Sequence, residues 1–171
     1  MPPPTPAGPP GRTASTLMLL GLVGLCLLTG AAGGAITSGN LASWYHTLTR
    51  PSGVPPDWVF GPVWTVLYVA MGSSAWLVWR HANRERGRAY DALMLWGWQL
   101  AVNALWPAVF FGLHAPGAAL LVIFVLLALI VLTIRSFARI DRPAAALLAP
   151  YLAWTVYATY LNAGFWWLSR G

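Results

Sequence analysis

The chain has 171 residues, 58% of them hydrophobic and only 8% charged, which is too apolar for a soluble domain of this size. All ten basic residues are arginine, and they lie in short stretches between apolar runs, a distribution that fits a positive-inside membrane protein rather than a nucleic-acid binder. The lone cysteine, Cys26, excludes a disulfide within the chain and a cysteine-cluster metal site, and in its apolar run it acts as a small hydrophobe.

Residues 1–15 carry Pro2, Pro3, Pro4, Pro6, Pro9 and Pro10 with no hydrophobic period, so a disordered tail is expected there. Five apolar segments follow, at residues 16–38, 57–80, 90–112, 116–138 and 143–168. Each is long enough for the ~20 residues that cross a bilayer. The expected fold class is all-α integral membrane, a five-transmembrane-helix bundle forming one domain over residues 16–171. Arg12 ahead of the apolar residues 17–28 imitates a signal peptide, but apolar character runs on to Ile36 and the start is proline-rich, which favours a retained span.

Between the first two segments lies a long loop, residues 39–56, with Trp44, Tyr45 and the stiff run Pro51-Ser52-Gly53-Val54-Pro55-Pro56. Residues 41–48 are expected to make two helical turns started by Asn40, and the loop is read as a lid over a pocket opening on that side. The alternative is an interfacial aromatic belt. Asp57 is placed to cap segment two, Pro116 to start segment four, and Asp141 with Pro143 to start segment five.

Segment three has two faces. Gln99, Asn103, Trp106 and Phe110 fall at i, i+4, i+7 and i+11 and share one; Gly97, Ala101, Ala104, Ala108 and Gly112 form a small-residue stripe nearly opposite. Amides facing lipid are costly, whereas small faces let helices approach closely. The amide face is therefore expected to turn inward, either to bridge helices or to meet a ligand. The small face is a candidate dimer seam, with Gly30, Ala31, Ala32, Gly33 and Gly34 as its rival. Pro107 and Pro150 lack the N–H that would bond the carbonyls of Asn103 and Ala146, so a kink or a freed acceptor is expected at each.

Trp64 and Tyr68 share a face in segment two; Trp154, Ala158, Leu161 and Phe165 share one in segment five. Such stripes serve either packing or a ligand. Trp76, Trp79, Trp96 and Trp98 flank the arginine-rich loop, and Trp166 and Trp167 lie near the other end; all six are read as belt residues. His46, His81 and His114 and the acids Asp57, Glu85, Asp91 and Asp141 sit at segment ends, so no axial haem pair, mid-membrane ion site, metal motif or nucleophile motif is expected. Arg12, Arg80, Arg84, Arg86, Arg88, Arg135, Arg139 and Arg142 collect on the N-terminal side, against Arg50 and Arg170 on the other. This places the N-terminus in the cytoplasm.

The run Trp44-Tyr45-x-x-Leu48-x-Arg50-Pro51, continued by Pro55-Pro56-x-Trp58-x-Phe60-x-x-x-Trp64-Thr65-x-Leu67-Tyr68, resembles the tryptophan-rich sensory protein, or TspO/translocator protein (peripheral benzodiazepine receptor), family. So do Gln99-Leu100-x-x-Asn103-x-x-Trp106 with Phe110-Phe111-Gly112, and Pro150-Tyr151-Leu152-x-Trp154-x-x-x-Ala158-x-x-Leu161-Asn162. The resemblance covers residues 17–168 and implies five membrane helices paired as a homodimer, in a bacterial inner membrane. It implies a receptor or carrier in the bilayer for porphyrins, other haem-pathway tetrapyrroles and hydrophobic ligands such as sterols, acting in tetrapyrrole transport or stress regulation. The ligand residues it implies are Tyr45, Trp64, Tyr68, Asn103, Trp106, Phe110, Trp154, Ala158 and Leu161. No cofactor, metal or catalytic residue is implied. Two other readings are a photo-oxidative porphyrin-degrading enzyme using Trp64 and Trp154, and a small-molecule exporter or membrane scaffold.

Three positions depart from the family pattern. Arg50 stands where lysine is common, no aromatic lies near Ser52-Gly53, so a looser lid is expected, and Tyr160 is too far from Arg170 for the animal-type cholesterol motif.

Overall fold

The computed structural model describes residues 11–84 and 86–170, and every regular element among them is helical. Helix α1 (Arg12–Leu41) begins inside the stretch expected to be a tail. The reason is local: residues 11–15 hold no proline, so the helical ladder extends back to Gly11, whose carbonyl accepts from Ser15 N–H at 3.0 Å, and Thr16 bonds its hydroxyl to the Arg12 carbonyl at 3.1 Å. The remainder of the expected tail, residues 1–10, lies outside the described residues.

At its other end α1 runs on to Leu41, so the two turns expected over residues 41–48 shrink to one 3₁₀ turn, Tyr45–Thr47. Asn40 does not start that turn. It closes α1, donating its side-chain amide to the Ile36 carbonyl at 2.8 Å. A second 3₁₀ turn, Asp57–Val59, leads into α2 (Phe60–Trp79). Asp57 caps neither element, because its carboxylate is taken by His46 at 2.8 Å and approached by Arg50 at 3.9 Å.

Helix α3 (Arg86–Pro107) starts four residues before the expected boundary and passes into a π-helical segment, Ala108–Gly112. Pro107 has no N–H to return, and the chain widens after it: Leu113 N–H bonds the Ala108 carbonyl at 2.9 Å and Ala115 N–H the Val109 carbonyl at 3.2 Å. His114 follows at φ 52°, a left-handed residue that turns the chain into α4 (Pro116–Ala138), whose bounds agree with the sequence. Asp141 accepts from Ala144 N–H at 2.9 Å, the cap expected of it.

The last span divides at Leu148 into α5 (Arg142–Leu147) and α6 (Ala149–Leu168). Pro150 cannot bond back to Ala146, and the ladder restarts around it, with Leu148 N–H on Ala145 at 3.1 Å and Leu152 N–H on Leu148 at 3.0 Å.

These helices make five spans long and apolar enough to cross a bilayer. Span one packs on α2 and α3, α3 on α4, and α4 on both α5 and α6; α2 closes the ring on α5 and hardly meets α6. Glycines allow the tight approaches. A Cβ at Gly72 would lie 2.6 Å from the Val23 Cα, Gly30 sits under the Tyr68 ring, and Gly33 faces Pro107. The rival seam at residues 30–34 is thus partly used inside the chain. Trp98 is 63% exposed, as a belt residue should be, but Trp96 is 4% exposed, so its assignment to the belt is corrected. Two helix positions apart, the two indoles point to opposite sides of α3, and Trp96 joins Ala89, Ala92 and Leu100 in the core.

Candidate ligand site

The inward face of α3 builds the first part of the site. Asn103 accepts from the Tyr68 hydroxyl at 2.6 Å and donates to the Tyr151 hydroxyl at 3.0 Å, and Gln99 donates to the same hydroxyl at 3.4 Å. All four side chains are buried, so α2, α3 and α6 are joined by one polar cluster at the centre of an apolar bundle. The helix-bridging role of these amides is therefore real. Gln99 Oε1 and Trp96 Nε1, on the same side of α3, are buried without a hydrogen-bond partner.

Two indoles flank this cluster. The Trp64 ring lies 5.5 Å from Tyr68 and 6.3 Å from Tyr151, and the Trp154 ring 6.0 Å from Phe60 and 5.6 Å from Tyr157, centroid to centroid. Both are half-buried, so each has a face left over.

A second, aromatic layer lies toward the loop at residues 42–56. Trp106 stacks on Phe110 at 5.2 Å and donates its indole N–H to Asn162 at 3.0 Å; Asn162 in turn donates to the Pro116 carbonyl at 2.7 Å. Phe110 meets Trp44 and Phe165, Tyr45 meets Phe111 and Phe165, and Leu161 is buried with them. The structure thus brings Trp64, Tyr68, Asn103 and Trp154 to one group and Tyr45, Trp106, Phe110 and Leu161 to an adjoining one. Ala158, half-buried on α6, lies between Trp154 and Leu161 in the chain. The two groups are packed layers, not one open cage.

Tyr151 and Asn162 join the polar contacts although neither is among the expected site residues. Tyr151, Thr155 and Asn162 recur at i, i+4 and i+11, a buried polar stripe on α6 that the periodicity alone can reveal.

The loop is fastened over one end of the bundle. Tyr45 is 4% exposed, and Trp44 stacks on His114 at 4.5 Å. The Tyr157 hydroxyl donates to the Gly53 carbonyl, the Tyr160 hydroxyl to the Ser52 carbonyl at 3.1 Å, and Pro51 presses against Gly164. Gly53 has φ 86°, which a residue with a side chain adopts only with strain. Those ties replace the missing aromatic near Ser52-Gly53, so the lid is held and not loose. Arg50 lies over the Tyr45 ring at 5.3 Å. Burial pushes the Tyr45 phenol above its ordinary range, Arg50 opposes this, and Asp57 and Tyr157 add to it.

A cleft of about 630 Å³ runs between α2 and α6, lined by Pro62, Val63, Val66 and Leu67 on one wall and Pro150, Ala153, Trp154 and Tyr157 on the other. None of the residues lining this groove lies in the loop at residues 42–56; it is on the flank of the bundle, where α6 leaves α2.

The sequence pattern of the TspO/MBR family matches residues 22–168. The chain is 44% identical over 141 residues to a tryptophan-rich protein TspO of Chlorobaculum tepidum, covering 82% of this chain and 88% of that one. It is 39% identical to a translocator protein of Homo sapiens, covering 78% and 79% of the two chains. With the protein CrtK of Rhodobacter capsulatus the identity is 36%, covering 85% and 89%.

Proposed function

We propose, for a multi-pass membrane protein that belongs to the TspO/MBR family, a receptor or carrier role: it binds porphyrins and related hydrophobic ligands such as sterols within the bilayer. The observation that carries this is the pairing of an apolar cleft with a polar cluster. The cleft supplies burial for a flat hydrophobe and Trp154 offers a ring face in its wall; Trp64 packs on Tyr68 and Tyr151, whose polar cluster with Asn103 and Gln99 holds groups that can orient a polar edge. Each stacked ring contributes about 0.5–1.5 kcal/mol beyond area burial. Asymmetry of the arginines supports an N-terminus in the cytoplasm, and the bacterial relatives support a bacterial plasma membrane.

The test is a protoporphyrin titration of the full chain in liposomes, read by quenching of tryptophan fluorescence. Saturable quenching is expected, with an affinity loss of tenfold or more in the double variant Trp64→Ala/Trp154→Ala. An unchanged affinity in that variant would place the ligand outside this site.

A further inference from the structure

We propose that the α2–α6 cleft is a membrane-side portal, through which the hydrophobic ligand enters from the acyl-chain region of the bilayer while the lid stays closed. The proposal rests on the ligand reading above and adds the route and the physical source of the ligand.

The gap has a structural cause. At the arginine-rich end α2 is bound to α5, through the Ser74 hydroxyl on the Ala144 carbonyl at 2.7 Å and His81 on Asp141 at 3.1 Å. Helix α6 restarts after Leu148 and packs on α4. At the far end the lid crosses back to α6 through Tyr157, Tyr160 and Gly164. The two walls are thus pinned at their ends and separate between them. Pro62 and Pro150 face the gap from opposite walls, and neither carries a backbone N–H that would draw water into it.

The chemistry of the lining selects the medium it opens to. Every lining side chain is hydrocarbon or aromatic apart from the indole of Trp154 and the phenol of Tyr157, and that phenol is turned to the lid carbonyl of Gly53. Val66 is 67% exposed at the rim, while Leu67 is 4% exposed in the depth. Against hydrocarbon such a mouth costs little to leave open, whereas water in it would lose hydrogen bonds. Inward from Val66 the wall passes to Leu67, and across the gap it is formed by Trp154, one of the two indoles of the proposed site. The lid route demands more: Tyr45 must leave its aromatic pocket, Trp44 its stack on His114, and two tyrosines their loop carbonyls. A ligand that uses the side route must already partition into lipid, so the class is a flat hydrophobe dissolved in the bilayer.

The experiment compares two locks in full-length chain carrying Cys26→Ala, reconstituted in ligand-free liposomes and mixed with vesicles that carry protoporphyrin. Val66→Cys with Ala153→Cys, joined by a short bismaleimide, bars the cleft. Ser52→Cys with Tyr160→Cys, joined by the same bismaleimide in place of the tyrosine ring that spans them, bars the lid. Loading is followed by stopped-flow tryptophan quenching. A tenfold or greater slowing by the cleft lock at an unchanged final extent of quenching, with the lid lock within twofold of the unlocked protein, is the expected result. Slowing by the lid lock alone, or equal rates for both, overturns the portal.

A second readout needs no ligand. A nitroxide at Val63→Cys is expected to collide with lipid-dissolved oxygen more than with a water-soluble nickel chelate; the reverse order overturns the portal by itself. If the unlocked protein shows no saturable quenching, the ligand reading falls, and the nitroxide result still decides whether the cleft opens to lipid.

Discussion

Asn103 uses both ends of its amide, one for Tyr68 and one for Tyr151. Replacing it with leucine keeps the volume but strands the buried Tyr68 hydroxyl and leaves Tyr151 only its longer bond from Gln99. Interhelical hydrogen bonds in membranes contribute about 0.6 and at most about 1.7 kcal/mol each, so Asn103→Leu is expected to cost ~1–3 kcal/mol. Part of that loss comes from stranded groups and not from the bonds themselves. Tyr68→Phe added to Asn103→Leu is therefore expected to cost less than the two single changes summed, in a thermal or denaturant unfolding series in one detergent. Simple additivity would mean that the pair does not interact. The indoles separate by the same reasoning. Trp154 borders the cleft and Trp98 is 63% exposed on the outside of α3. Trp154→Ala is expected to weaken protoporphyrin binding several-fold, about 1 kcal/mol or more, and Trp98→Ala to leave it unchanged. Equal affinities, with helicity verified, would put the site elsewhere.

At the scale of elements, what the sequence discloses and what it hides follow one division. Spans are legible because hydrophobic length reports them directly, and α4, with proline in its first turn and arginine in its last, is legible to its ends. The two faces of α3 are legible because one period separates amides from small residues. Hidden are the places where a missing N–H admits several answers. Pro107 widens its helix into a π segment and Pro150 breaks its own, though both lack the same atom. Which outcome occurs depends on the neighbours: Pro107 is held against Gly33 of α1, while α5 is fixed to α2 before Pro150 begins. Asp57 is hidden likewise, since a carboxylate at a helix start reads as a cap until His46 is brought to it from the loop. For the candidate site, the helix faces that carry the proposed residues are legible and their division into two layers is not, because layers are set by crossing helices. Glycines give an element-scale test. A Cβ at Gly72 would strike the α1 backbone at Val23, whereas one at Gly97 would meet nothing within 4 Å. Gly72→Ala is expected to destabilise by about 1–3 kcal/mol by forcing α1 from α2, and Gly97→Ala to be neutral or mildly stabilising, in the same unfolding assay.

For the whole molecule, the ring order places α3 with one face in the polar cluster and the other turned out. Ala101, Ala104 and Gly112 are exposed and Gly97 and Ala108 half-buried, so the small stripe lies on the outer surface. In lipid an outward small face gains nothing from the hydrophobic effect, but it lets a second backbone come close and make dense van der Waals contact. A homodimer through this face remains our proposal, and helix one supplies its rival. There Gly30 and Gly33 are already spent on Tyr68 and Pro107, while Ala31, Ala32 and Gly34 stay exposed. Two of that run's five small residues are thus taken up inside the chain, whereas none of the five on α3 is buried. Ala101→Phe or Ala104→Phe is therefore expected to lower dimer content severalfold, and Gly34→Phe to leave it within twofold, by crosslinking at matched protein-to-lipid ratios in liposomes. Protoporphyrin affinity measured on the same samples separates assembly from the site, because neither alanine borders the cleft. Loss of pairing on Gly34→Phe, with the alanine variants still paired, would move the seam to helix one.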